Sequence, residues 1–255
     1  MRLANASPSA VWLLTFALFG LVGVSLTAAT KQEKPSYGPT GSEATIVGTI
    51  SLVGKPSKPL RIDTSADSVC ERVNPDPITD WLVVANHKLA NVVVYVRAES
   101  LNSYLFDAPS PDVTLEHRGC RYVPHVLGMQ TQQTLKILNS DPTTHNTHPT
   151  PKNNREWNQS QPPGAVAIVR RFAWPELFIP IKDNQHPWEK AYVGVFSHPF
   201  FSVSSTDGSY RISGLPPGQY TVVAWHERLG EQTTDVFLAG SEQKELDFVF
   251  KASDH

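Results

Sequence analysis

The chain has 255 residues, 40% of them hydrophobic and 18% charged, with a formal net charge of -2; that is enough apolar material for one large or two modest domains and too much for disorder. No long basic run occurs after the N-terminal segment, which excludes the electrostatic footprint of a nucleic-acid binder. The 21 prolines recur between short apolar runs and break helices there, so the composition favours strands and loops.

Arg2 is followed by an uncharged stretch to Thr30, with an apolar centre from Val11 to Val24 and the small residues Thr27, Ala28 and Ala29 after it. This reads as a secretory signal over residues 1-29, cleaved after Ala29, and places the mature protein in the periplasm or outside the cell. The alternative is an uncleaved anchor, because Val11 to Ala29 approaches the ~20 residues that cross a bilayer; contact with a membrane is expected only in that case. Residues 30-43 are polar and rich in Pro, Gly and Ser, a linker.

Thr45 to Val53 alternates small or polar with apolar residues and ends at Gly54-Lys55-Pro56, a strand and its turn. Strands are expected at Trp81–Ala85 and Asn91–Val96; the second is nearly continuous apolar and therefore central and buried on both faces. Further strands are expected at 113–115, 134–138, 165–172, 177–181 and 191–196. Cys70 and Cys120, the only cysteines, belong to neither a CxxC nor a Cys/His cluster, and an exported chain meets an oxidising compartment, so a disulfide is expected.

Near the C-terminus, Thr206-Asp207-Gly208-Ser209 and Gly214-Leu215-Pro216-Pro217-Gly218 supply two reversals, the first needing positive φ at Gly208. Strands follow at 210–212, 220–225, 233–238 and 245–250. The run DGSYRISGLPPGQYTVVAW resembles the closing half of a carboxypeptidase regulatory-like module, a small transthyretin-like β-sandwich. GTISLVGKP and LANVVVYV resemble its opening half. The resemblance implies an all-β chain with a discontinuous sandwich, residues 44-100 and 202-251, hosting a second sandwich over residues 101-201. Two sequential domains are the alternative.

Within 101-201, three segments are read together: CRYVPHVLGMQTQQTLKILNSDPTTHNTHPTP, WNQSQP and IPIKDNQHPWEKAYVGVFSHPFF. They resemble bacterial exported cupredoxin-like proteins of the methylamine-utilisation or plastocyanin-like kind, which implies a Greek-key sandwich with ligands on two loops. Asn139, Ser140, Asp141, His145 and Asn146 match the first loop and His186-Pro187-Trp188 the second, so the resemblance implies His145 and His186 as imidazole ligands. Where that family carries its cysteine this chain has Asp183, and where it carries its methionine this chain has Glu189.

A blue-copper centre needs a thiolate, so this chain is expected not to be a blue-copper electron carrier. Two imidazoles and two carboxylates suit a divalent ion such as Cu(II) or Zn(II). The competing reading keeps the sandwich without metal, with Asp183 and Glu189 as solvated loop residues. A thiolate centre built on Cys70 or Cys120 is disfavoured because neither lies in the two ligand loops. His148 is a substitute ligand or an exposed residue, and His125, His198 and His226 read as packing or hydrogen-bonded histidines.

No GxSxG, HExxH or phosphate-binding glycine loop occurs, so the chain is expected to be non-enzymatic. Its partner is expected to be a metal, or a protein or glycan; for a glycan, Trp157, Trp174 and Trp188 could stack on sugar rings.

Overall fold

The computed structural model describes residues 33–252; the signal or anchor expected over residues 1-29 lies outside them. Among the described residues no helix is long and apolar enough to cross a membrane. Among the described residues the fold is all-β, with one short helix, Ser68–Val73, and one 3-10 turn, Glu99–Ser103.

Four sheets form. In the first, Ala44–Val53 is the hub: it pairs antiparallel with Ser209–Leu215 and Lys88–Leu89 and parallel with Gln243–Glu245 and Phe248–Lys251. The second runs Phe201–Val203, Val93–Arg97, Gly218–His226, Gly230–Leu238. The third runs Gln159–Gln161, His145–Pro149, Glu176–Lys182, Lys190–Phe196, Val126–Gln130, and the fourth Ile168–Arg170, Leu135–Asn139, Val113–His117, Tyr122–Val123. Strands 113–196 thus make the third and fourth sheets, and the chain before and after them makes the other two.

Side-chain alternation turns these sheets into a stack. Ile46, Ile50, Val94, Val96, Val222, Phe248 and Phe250 form one core between the first two sheets. Leu115, Met129, Leu135, Ile137, Ile179, Ile181, Val193 and Val195 form another between the third and fourth. The opposite faces of the middle sheets meet in a third cluster, Val93, Tyr95, Val126, Phe196 and Val223, with Phe178 and Trp225 packed against it. Val93–Val96 is therefore apolar at every position because Val94 and Val96 face one core while Val93 and Tyr95 face the other.

Several expected strands are shorter or divided. The Trp81–Ala85 stretch is regular only at Val84–Ala85, residues 165–172 only at Ile168–Arg170, and 245–250 divides at Leu246 and Asp247. Asp247 interrupts the ladder because its carboxylate takes the Thr49 N–H at 2.6 Å. The helix Ser68–Val73 was not expected. Its cap is Asp67, whose side chain accepts from the N–H groups of Val69 and Cys70, and Pro75 follows its end. Gly208 has φ of 76°, and a Cβ there would lie 2.4 Å from the carbonyl oxygen of Ile50, so the turn requires glycine.

Candidate metal centre

Four strand ends converge at one end of the sandwich formed by the third and fourth sheets. His117 is the last residue of Val113–His117 and His145 the first of His145–Pro149; Asp183 follows Glu176–Lys182, and Glu189 precedes Lys190–Phe196. Between the last two lies a closed loop. The Asp183 N–H donates to the Glu189 carbonyl at 3.3 Å, and the Glu189 N–H to the His186 carbonyl at 2.8 Å. Asp183 Oδ1 accepts the N–H groups of Gln185 and His186 at 2.7 and 2.9 Å, which folds His186 back over the strand ends.

His145, His186, Asp183 and Glu189, singled out in the sequence, are brought together. His145 Nδ1 lies 3.1 Å from both Asp183 Oδ2 and Glu189 Oε1. His186 Nδ1 lies 3.2 Å from Asp183 Oδ2 and 3.7 Å from Glu189 Oε1. All four side chains are buried, Asp183 at 2% and Glu189 at 1% exposure, so the picture of two solvated loop carboxylates is corrected.

His117, which no sequence motif marks, joins the cluster. One donor atom each from His117, His145, Asp183 and Glu189 lies within 4.8 Å of the others, and His117 Nδ1 is 2.9 Å from Glu189 Oε2. The available signal was strand alternation, which turns Leu115 and His117 to the same inward face. His148 does not join: half-exposed, it pairs with Glu156 and Asn184.

The three imidazoles are oriented alike. Each turns Nδ1 toward the Asp183–Glu189 pair and Nε2 toward an outer oxygen: Thr147 Oγ1 for His117, Asp141 Oδ2 for His145 and Asp67 Oδ2 for His186, each at 3.1 Å. Asp141 is held by the N–H groups of Gly119 and Cys120 at 2.7 and 2.8 Å. The rings of His117 and His145 stack with centroids 4.4 Å apart, and those of His145 and His186 are 4.6 Å apart.

Electrostatics follow from burial set against neighbours. Burial disfavours the charged form of His145, yet bonds to Asp141 and Asp183 and the contact with Glu189 raise its pKa overall. His186 is raised by Asp183 and Asp67 against the same opposition. For Asp183, burial is outweighed by His145, His186 and the backbone of Asn146 and His186, which hold it well below the carboxylate range. Asp67 is lowered to about 2, partial burial being outweighed by Thr143, His186 and the helix N–H groups. One atom is left over: Glu189 Oε1 is buried and has no hydrogen-bond partner, although His145 Nδ1 is close.

Cys70 and Cys120 form the expected disulfide, buried at 0% and 1% exposure. Although neither lies in the two ligand loops, both stand close to the cluster. A sulfur of Cys120 lies within 4.8 Å of donor atoms of Asp141 and His145, a sulfur of Cys70 within the same distance of Asp67 and His186, and both sulfurs within it of Glu189.

The donor set does not fit a thiolate copper centre while the disulfide stands, since no free cysteine is left among the described residues to supply the thiolate. It fits an ion held by nitrogen and oxygen: bonds of about 2.0–2.2 Å in a tetrahedral shell put neighbouring donors about 3.3–3.6 Å apart, against the 3.1–3.7 Å found here.

The other candidate residues have packing or local roles. His125 is bonded to Glu227, His198 Nδ1 accepts the Phe200 N–H, and His226 Nδ1 accepts the Arg228 N–H. Trp188 donates to the Cys120 carbonyl at 3.2 Å and lies against His186; Trp157 carries the Arg170 guanidinium; Trp174 is 64% exposed. A groove of about 1090 Å³ between the middle sheets is lined by residues such as Tyr95, Glu176, Phe178 and His198, and by none of the cluster.

No protein-family model matches the chain, and no curated protein matches it significantly. Among solved structures, a Cu-containing nitrite reductase from Thermus scotoductus is 16% identical over 34% of this chain and 22% of its own length, with a TM-score of 0.31. The chain therefore spans about a fifth of that protein. A purple cupredoxin from Nitrosopumilus maritimus is 18% identical over 33% of this chain and 99% of its own, with a TM-score of 0.29. An amicyanin M98A variant in the Cu(I) state is 16% identical over 35% and 86%, with a TM-score of 0.30. Part of this chain is thus similar, at low identity, to copper proteins of the cupredoxin class.

Proposed function

We propose that this chain is an extracytoplasmic, non-enzymatic, cupredoxin-like protein that holds a divalent ion through His145, His186, Asp183 and Glu189, with His117 beside them. It is not a blue-copper electron carrier in its disulfide-bonded form. The observation that carries this reading is the shared orientation of the three imidazoles: Nδ1 faces inward on two carboxylates, and Nε2 is anchored outside by Thr147, Asp141 or Asp67. Metal-binding histidines are oriented in this way, the far nitrogen tied to an outer acceptor. The unpartnered Glu189 Oε1 supports the same reading, because a buried carboxylate oxygen costs free energy unless a donor or cation satisfies it. The division into a regulatory-like sandwich, residues 44-100 and 202-251, and a cupredoxin-like insert, residues 101-201, belongs to this proposal.

Elemental analysis of protein purified from its native compartment, followed by Cu(II) and Zn(II) titration, tests it. One tightly bound equivalent is expected, and the Cu(II) form should be pale, with ordinary and not narrow hyperfine splitting. Replacing Asp183 by Cys and Glu189 by Met supplies the missing thiolate and thioether and should shift the spectrum toward blue copper. An intensely blue native protein would sink the ligand assignment. A chain that takes up neither ion would leave the cluster as a metal-free ion-pair network.

A further inference from the structure

We propose that reduction of the Cys70–Cys120 disulfide converts this cluster into a second kind of metal site, in which one or both freed thiolates join His145 and His186 to hold a soft ion such as Cu(I). The inference rests on the reading above in one respect only, that His145 and His186 are metal ligands.

The geometry behind it is the placing of the disulfide. The two sulfurs flank the imidazoles, Cys120 on the His145 side and Cys70 on the His186 side, with Glu189 within 4.8 Å of both. Two donors on one ion, at about 2.0–2.1 Å for nitrogen and 2.3 Å for sulfur, lie no more than about 4.4 Å apart. The 4.8 Å bound stands within about half an ångström of that span, so a small side-chain rotation would bring each freed sulfur into range of its own imidazole, Cys120 of His145 and Cys70 of His186.

A purely structural bridge could sit anywhere along the contact between the helix Ser68–Val73 and the strand ends. This one sits among the ligands. The segment that brings Cys70 is also pinned there by Asp67, which caps the helix and bonds both Thr143 and His186.

In the oxidised chain the sulfurs are bonded to each other and the site offers nitrogen and oxygen, which suits Zn(II) or Cu(II). A dithiol reductant breaks the Sγ–Sγ bond: it supplies two electrons and two protons, and its own two sulfurs join as a disulfide. Each cysteine that then binds the ion releases its proton to solvent. Thiolates replace carboxylates as the dominant donors, and the preference moves to Cu(I) and other thiophilic ions.

The test uses the mature protein in two forms: as isolated, and after anaerobic treatment with dithiothreitol that is then removed by gel filtration. Each is titrated with Co(II), followed by the thiolate-to-cobalt charge-transfer band in the near ultraviolet, and with Cu(I) against a chromophoric chelator. The reduced form is expected to show that band with one equivalent of Co(II) and to bind Cu(I) at least about tenfold more tightly than the oxidised form. The Cys70→Ser, Cys120→Ser double variant, treated identically, should show neither change.

Identical cobalt spectra for the two forms would overturn the proposal. Should reduction loosen the fold, Co(II) is expected to restore the near-ultraviolet circular dichroism together with the band; a reduced chain that stays unfolded with Co(II) also overturns it. Failure of the oxidised form to bind Zn(II) would instead count against the preceding reading, and the reduced form would still decide this one.

Discussion

Glu189 is a residue whose role depends on everything around it. Its two oxygens divide between His117 and the space shared by His145 and His186, and one of them has no hydrogen bond. Glu189→Gln keeps the volume but loses the charge, and is expected to abolish tight Zn(II) binding in isothermal titration while leaving the fold intact. Asp141→Asn acts through His145, because it exchanges an anionic anchor for a neutral one at Nε2. A loss of about 10- to 100-fold in metal affinity is expected, the usual consequence of removing an outer partner; unchanged affinity would show that the Asp141 anchor does not position the His145 ring.

Away from the cluster, His198 and His226 are each lowered to about 4 by burial. Between about 6.5 and 4 the unfolded chain takes up protons on these rings that the folded chain refuses, so their effect is a loss of stability as pH falls through that window. At pH 5 the loss is about 2 kcal/mol per ring. His125 works in the opposite direction: burial lowers its pKa, but Glu227 and Asp80 raise it overall, and the stability it adds disappears as pH rises through its folded value. His198→Asn retains an acceptor for the Phe200 N–H and removes the titration. Urea melts at pH 7 and pH 5 should show a loss about 2 kcal/mol smaller in this variant than in the native chain; equal losses would contradict the buried neutral ring.

Among the elements, the turn that leads into Ser209–Leu215 depends on Gly208. Any side chain there meets the Ile50 carbonyl on the hub strand and adopts an unfavourable positive φ. Gly208→Ala is expected to destabilise the protein by more than about 1 kcal/mol in a denaturant melt, with the first sheet weakened and the metal affinity unchanged, since no cluster residue lies on that sheet. The loop from Asp183 to Glu189 behaves differently. Asp183 organises its turn through Oδ1 and faces the imidazoles through Oδ2, so one carboxylate serves both the loop and the site.

For the whole molecule, the covalent tie between Cys70 and Cys120 spans 50 residues. It joins the helix Ser68–Val73 to the strands that carry His117 and Tyr122, and in the chain-entropy account a loop of that length contributes about 4 kcal/mol. Reduction should therefore lower the denaturant midpoint substantially, and a soft ion bound by the freed thiols should recover part of the loss in proportion to its concentration over its dissociation constant. The middle sheets add a second bond between the halves of the fold, where Phe178 and Trp225 stack with ring centroids 3.6 Å apart. Phe178 holds a φ of 57° at an irregularity between Glu176 and Ile179, so the bulged backbone is what aims this ring at Trp225.

By itself the sequence determined the class of the fold and half of the site. Alternation set the strand at Thr45 to Val53 and a continuous apolar run the one at Asn91 to Val96, the turn glycine at Gly208 is a local requirement, and His145, His186, Asp183 and Glu189 are marked by the resemblance of two short segments to cupredoxin-like proteins. Only the tertiary structure decided the rest. His117 lies 28 residues before His145 and enters the cluster because parallel pairing sets Val113–His117 beside Leu135–Asn139. Asp67 enters because a capped six-residue helix places it over His186. The cysteines stand outside the ligand loops in sequence; burial and pairing put their sulfurs near the imidazoles, a proximity that no local pattern encodes because it is made by contacts between segments distant in sequence.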